Sequence, residues 1–180
     1  MTNGISLTSL LTEKRYELIE ESWMEALADP VPRSEYLINA TRGLARAGQK
    51  SQLQSLAGKT EAALKLRKEP AIGMLRWTLL KEAVRAGATP STPDGFHRLF
   101  EDSIAAAYPD SPSLSTLLGR FKFRESKDPA DGLARIERVE KWLPFEVGRC
   151  FTMAGRGPGK VIETNFALDV VRVDFEKAKG

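Results

Sequence analysis

Apolar residues recur at intervals of three and four through most of the chain, and at intervals of two only near its end. Leu7, Leu10 and Leu11, then Tyr16, Ile19, Trp23, Ala26 and Leu27, predict one or two helices over residues 6–28. Glu13, Glu17, Glu20, Glu21 and Glu25 lie mostly off that stripe. Asp29-Pro30-Val31-Pro32 ends it, because proline lacks a donor and restricts the residue before it. Tyr36, Leu37, Ala40, Leu44 and Ala47 predict a helix over residues 33–47, with Gly48 as its C-cap. Leu53, Leu56, Ala57, Ala63, Leu64 and Leu66 predict another over residues 50–68, with Gly58 as a break point. Pro70 suits the first turn of a helix over residues 71–86, whose core face is Ile72, Leu75, Leu79, Ala83 and Val84. Trp77 lies off that face and is expected to pack against a neighbouring helix.

Three further helices follow. Thr92 and Pro93 read as the cap and first position of one that carries Phe96, Leu99, Phe100, Ile104 and Ala107. A shorter one over residues 113–123 carries Leu114, Leu117, Leu118 and Phe121. Asp128-Pro129 opens the last, marked by Leu133, Ile136, Val139 and Trp142. About seven helices joined by short turns predict an irregular stack of antiparallel helical hairpins. No repeat period is present, and the tetratricopeptide pattern does not recur.

From residue 145 the period changes. Cys150-Phe151-Thr152-Met153 is a short apolar run, Ala154 to Gly159 a loop rich in glycine and proline, and Val161-Ile162 a second run. Residues 169–175 alternate strictly, so Val171, Val173 and Phe175 share one face and Arg172 and Asp174 the other. Three β-rich runs divided by turn signals predict a meander. The fold class is therefore mainly α, with a helical-hairpin domain over residues 1–144 and a small β module over residues 145–180. Trp142 and Leu143, just before Pro144, are the expected junction.

Composition adds charge asymmetry. The net charge is +3, but residues 42–87 hold ten basic side chains against three acidic ones, while residues 1–41 hold three against seven. The basic stretch reads either as solvated helix faces or as a footprint for nucleic acid or an acidic surface, through Arg42, Arg46, Lys50, Lys65, Arg67 and Lys68. Aromatic residues do not interleave with these charges as they do in single-strand binders. Cys150 is the only cysteine, so no intrachain disulfide forms and nothing argues for secretion. No apolar run approaches the roughly 20 residues of a membrane helix. A cytoplasmic protein is expected.

Candidate chemistry is sparse. Gly159-Lys160 is followed by Val161 and preceded at the required spacing by Ala154, so a P-loop fails at both ends. After Gly155 and Gly157, the third glycine of a dinucleotide fingerprint falls on Lys160, so that fails too. With His97 the only histidine, neither a catalytic triad nor a multi-histidine metal site can be assembled. Cys150 is expected to be a small buried residue of a strand. No enzyme activity, metal or cofactor is expected.

One stretch is familiar in type. The pattern of Phe145 and Gly148, an apolar strand, Gly155-x-Gly157-x-Gly159-x-Val161, a turn, then Val171-x-Val173-x-Phe175-Glu176 resembles the small Tudor or SH3-like barrel of RNA-polymerase-interacting modules such as the CarD family. Helices followed by such a segment, with an early Leu10, Leu11, Tyr16, Glu20, Trp23 pattern, resemble the N-terminal region of long Gre-type transcription elongation factors. The likeness is densest over about 30 residues. It implies a non-catalytic module that binds bacterial RNA polymerase, with Arg156, Lys160 and Arg172 as partner contacts. The long coiled-coil hairpin that carries Gre activity and an FKBP-like domain are both missing from the pattern, so no catalytic position carries over. Only three strands fit before Gly180, and the resemblance implies that the rest of the barrel lies beyond the chain. Two other readings stand beside it: a helical scaffold for protein partners unrelated to transcription, and part of an enzyme whose active site lies elsewhere.

Overall fold

The computed structural model describes residues 7–91 and 95–176. The expected cap at Thr92 and Pro93 and the side chain of Leu7 lie outside the described residues. The described chain is mainly helical and closes with a small three-stranded antiparallel sheet. It forms two compact units, one within Met1–Pro109 and Lys127–Leu133, the other within Asp110–Ser126 and Ala134–Gly180. The expected boundary at Pro144 falls inside the second.

The first unit holds α1 (Leu7–Thr12), α2 (Tyr16–Ala28), α3 (Ser34–Arg46), α4 (Lys50–Leu64), α5 (Pro70–Arg85) and α6 (Gly95–Ala107). Residues 7–28 make two helices because the chain turns at Lys14, whose φ is 57°. Gly48 and Gly87, both at positive φ, end α3 and α5. In each case the glycine N–H and the one after it donate back into the last turn, Gly48 to Ala45 and Gln49 to Leu44, Gly87 to Val84 and Ala88 to Ala83. Gly58 does not break α4, which runs on to Leu64. Leu66 therefore drops out of the expected stripe and is exposed, as is Ala63.

Successive helices pack on each other, and α1·α3, α2·α4 and α3·α5 also touch. That is the pattern of stacked helical hairpins. Ile19, Trp23, Leu37, Leu44, Leu53, Leu56 and Leu75 lie in its core. Trp77 is wholly buried and packs edge-on against Phe100 of α6, ring centroids 6.0 Å apart. The α5–α6 approach needs Gly73, since a Cβ there would stand 1.9 Å from the Ala106 carbonyl oxygen. Two polar links cross the core. Trp23 Nε1 donates to Thr60 Oγ1 at 3.0 Å. Arg76 of α5, only 5% exposed, donates from Nε to Glu61 Oε2 of α4 at 2.6 Å and from its terminal nitrogen to Oε1.

The second unit contains α7 (Leu114–Arg120), a 3₁₀ turn (Phe123–Glu125), most of α8 (Pro129–Trp142), a second 3₁₀ turn (Leu143–Phe145) and strands β1 (Cys150–Met153), β2 (Gly157–Asn165) and β3 (Val170–Phe175). Asp128 caps α8, its Oδ1 accepting the Asp131 N–H at 2.9 Å. Glu146 is buried and accepts hydrogen bonds from Ser111 Oγ at 2.5 Å, the Ser113 N–H at 2.9 Å and Arg149 at 3.3 Å. It ties the entry of α7 to the exit of α8. Leu143 is buried, and Trp142 sets its ring edge-on to Phe145 and Phe166. The expected junction residues thus join α8 to the β2–β3 turn.

Strand order is β1-β2-β3, both pairs antiparallel, with a bulge at Ile162 between Val161 and Glu163. The glycine-rich stretch is not all loop. Only residues 154–156 turn, and Gly157, Pro158 and Gly159 pair with Met153, Thr152 and Phe151. Gly159 suits this place because a Cβ would lie 2.7 Å from Val173 Cγ1 and 2.8 Å from Phe175. Cys150 is in a strand as expected but exposed, since the alternation turns Phe151 inward instead.

Glu61→Ala should destabilise the first unit by about 3–5 kcal/mol, the cost of leaving a buried guanidinium unpaired. Trp142→Ala should lower the transition of the second unit by about 2–3 kcal/mol, less than for a wholly buried tryptophan. Urea unfolding followed by circular dichroism measures both, and an unchanged midpoint in either variant would contradict the corresponding packing.

Candidate interaction surface

The sheet has two faces of different chemistry. Phe151, Gly159, Val161, Val173 and Phe175 share the inner face through the pairs Phe151↔Gly159↔Phe175 and Val161↔Val173. Edge-to-face rings run across it, Phe145 on Phe151 at 5.9 Å and Phe151 on Phe175 at 6.3 Å. Val161 and Gly159 are buried, whereas Phe151, Val171, Val173 and Phe175 are half-buried. Cys150, Thr152, Pro158, Lys160, Arg172 and Asp174 share the exposed outer face. Ile162 at the bulge and Val170 at the end of β3 are also exposed. Among the described residues, β1 and β3 each pair on one side only, so both present open backbone edges.

Two of the three expected partner contacts come together here. Lys160 stands opposite Asp174, and Arg172 pairs with Glu163 at 3.3 Å, all on the outer face. Arg156 does not join them. It lies in the β1–β2 turn with its guanidinium 5.6 Å from the centre of the Phe175 ring, on the inner face. Arg120 of α7 reaches the β2–β3 turn through Asp169 at 2.6 Å and also sits over the Trp142 ring.

The basic residues of the first unit do not form one footprint. Arg42 pairs with Glu82 at 2.9 Å, and that hydrogen bond and charge hold its guanidinium above the usual arginine range. Arg85 pairs with the same carboxylate, Lys59 with Glu20, Arg76 with Glu61, and Lys81 lies over Trp77. Arg67 is structural. It donates to the carbonyls of Asp29 and Pro30, at 3.5 and 2.6 Å, and to Glu69. The Glu69 carboxyl is held below its ordinary value by its own backbone N–H and then by Arg67. Arg46 and Lys50 remain near the start of α4, Lys65 and Lys68 beyond its end. The helix between has 15 residues, about 22 Å of rise, so the two pairs are well separated. Arg42 and Arg46 do share one shallow groove with Thr12 and Asn39.

His97 stacks on Phe96 in α6 with centroids 4.0 Å apart. Among the described residues no group of three histidine, cysteine or acidic side chains is placed to hold a metal ion, and no helix is long and apolar enough to cross a membrane. Glu146 had no signal in the sequence, because its serine partners lie more than 30 residues away.

Gly159→Ala should loosen the β2–β3 pair, since the new methyl meets Val173 and Phe175 at under 3 Å, and cost about 1–3 kcal/mol as overpacking does. Faster amide exchange in residues 171–175 than in the wild type checks it, and unchanged exchange would contradict the close crossing. Compared with protein-family models, curated proteins and solved structures, the chain matches none.

Proposed function

We propose that this chain is a non-catalytic docking module whose sheet makes the contact, and that its partner is RNA polymerase, as the resemblance to Gre-type and CarD-type modules implies. The observation that carries the reading is the open sheet. β3 offers six residues with one unpaired backbone edge, and such an edge takes an added strand from a partner. The outer face beside it mixes exposed Ile162 and Val170 with Lys160 and Arg172, the mixture of apolar and Arg-rich surface common at protein interfaces. In this reading the sheet belongs to an SH3/Tudor-like barrel.

The first unit supports a second reading, a helical scaffold for a protein partner. The dispersal of its uncommitted cations to the two ends of α4 favours this over a nucleic-acid surface, where phosphate contacts follow one track.

The test is capture of bacterial core RNA polymerase by the full chain and by the double variant Lys160→Glu, Arg172→Glu, at low and raised salt. Retention by the wild type and at least a tenfold loss in the variant, about 1.4 kcal/mol, are expected. Equal retention would move the contact off the sheet. No retention by either would overturn the polymerase reading and leave the scaffold.

A further inference from the structure

The first unit carries two exposed apolar patches of opposite charge, one on α2 and one on the loops at its C-terminal end. The first is a shallow depression lined by Glu17, Leu18, Glu20, Glu21, Met24 and Glu25. Glu20 is taken up by Lys59 of α4. Glu17 and Glu21 are exposed, lie one turn apart and have no ion pair among the described residues. Like charges at that spacing repel, and Met24 is exposed beside them.

The second patch follows the C-terminus of α2. Arg67 ties the α4–α5 loop to the carbonyls of Asp29 and Pro30, so two loops are held at one end of the unit. Each offers an aliphatic side chain almost entirely to solvent, Val31 at 83% exposure and Leu66 at 86%. Lys65 and Lys68 are exposed on either side of Leu66 and Arg67, with no ion pair among the described residues.

The charges decide what fits. A nucleic acid or an anionic lipid surface would be attracted by Lys65 and Lys68 but repelled by Glu17 and Glu21. A partner for both patches must present an apolar basic patch and an apolar acidic one at the same spacing, and the chain itself does. Glu21 lies about 10 Å along α2 from the helix end that leads into Val31. Reversing a second copy across a two-fold axis sets each acidic patch on the other copy's basic patch, and makes the contact twice.

We propose that the chain forms a two-fold homodimer through this surface. Glu17, Glu21 and Met24 of one copy meet Lys65, Leu66 and Lys68 of the other, and reciprocally. The proposal is independent of what the sheet binds.

Sedimentation velocity of the full chain, in a concentration series reaching about 100 µM at low and raised salt, tests it. A monomer–dimer equilibrium weakened by salt is expected. Lys65→Glu with Lys68→Glu should give a monomer, and so should Glu17→Lys with Glu21→Lys. An equimolar mixture of the two variants should dimerise again, because every contact in the mixed pair is then between opposite charges. Leu66→Ser, which leaves all charges in place, should weaken the dimer about tenfold or more and reads the same contact should a charge variant lose its helical circular dichroism. A wild type that stays monomeric through the series, a variant mixture that stays monomeric, a salt-insensitive dimer, or assemblies growing past the dimer would each overturn the two-fold arrangement.

Discussion

A guanidinium at 5% exposure is tolerable only if its charge is answered where it is buried, and in the first unit that answer is Glu61. The bidentate pair fixes α5 against α4 at one register, because a shift by a turn would leave both charges unpaired in an apolar setting. The rest of the unit is consistent with that register. Trp77, on the next position of α5, fills the space toward Phe100, and Gly73 lets α6 approach to backbone distance. On the other side of α4, Trp23 reaches Thr60, one residue before Glu61. A short stretch of α4 thus holds α2 and α5 by directional bonds within an otherwise nondirectional core.

The second unit answers the same requirement with a carboxylate. Glu146 is buried, and its hydrogen bonds come from residues just before α7 and just after itself. The aromatic side chains extend this anchorage into the sheet: Trp142 meets Phe145 and Phe166, Phe145 meets Phe151, and Phe151 meets Phe175. A three-stranded sheet is marginal alone, and this series of rings gives it a backing within its own unit. Val171, Val173 and Phe175 are only half-buried on that face, and the proposed docking role gives the open β3 edge a use.

Charge has divided roles in the first unit. Arg42, Lys59, Arg76, Arg85 and Lys81 of the basic middle stretch answer carboxylates or a ring within the fold, and Arg67 holds two loops together. Net charge along the sequence therefore overstated the charge available to a partner. Arg46 and Lys50 stay uncommitted at the start of α4, and around α2 and the α4–α5 loop the uncommitted charges, Glu17 and Glu21 against Lys65 and Lys68, are two-signed, which is why a second copy is the proposed occupant.

The helices and strands were legible in the sequence because each follows from a local signal. Periods of three and four gave α2 through α8, Pro70 and Asp128 marked helix starts, Gly48 marked an end, and a period of two gave β3 with Val171, Val173 and Phe175 on one side. Trp77, off the main stripe of its helix, was expected against a neighbouring helix, and Phe100 of α6 is that neighbour. The tertiary structure decided what depends on residues far apart in the chain. Cys150 is exposed because the register with β2 turns Phe151 inward, and Gly157 to Gly159 are strand because Phe175 and Val173 cross over Gly159. Leu66 is outside because α4 stops at Leu64, where the Arg67 bonds to Asp29 and Pro30 take over. Whether a charged side chain is a contact or a strut was likewise settled by its partner, as for Arg76 and Glu146, and pairings across 15 or more than 30 residues leave no periodic trace for the sequence to show.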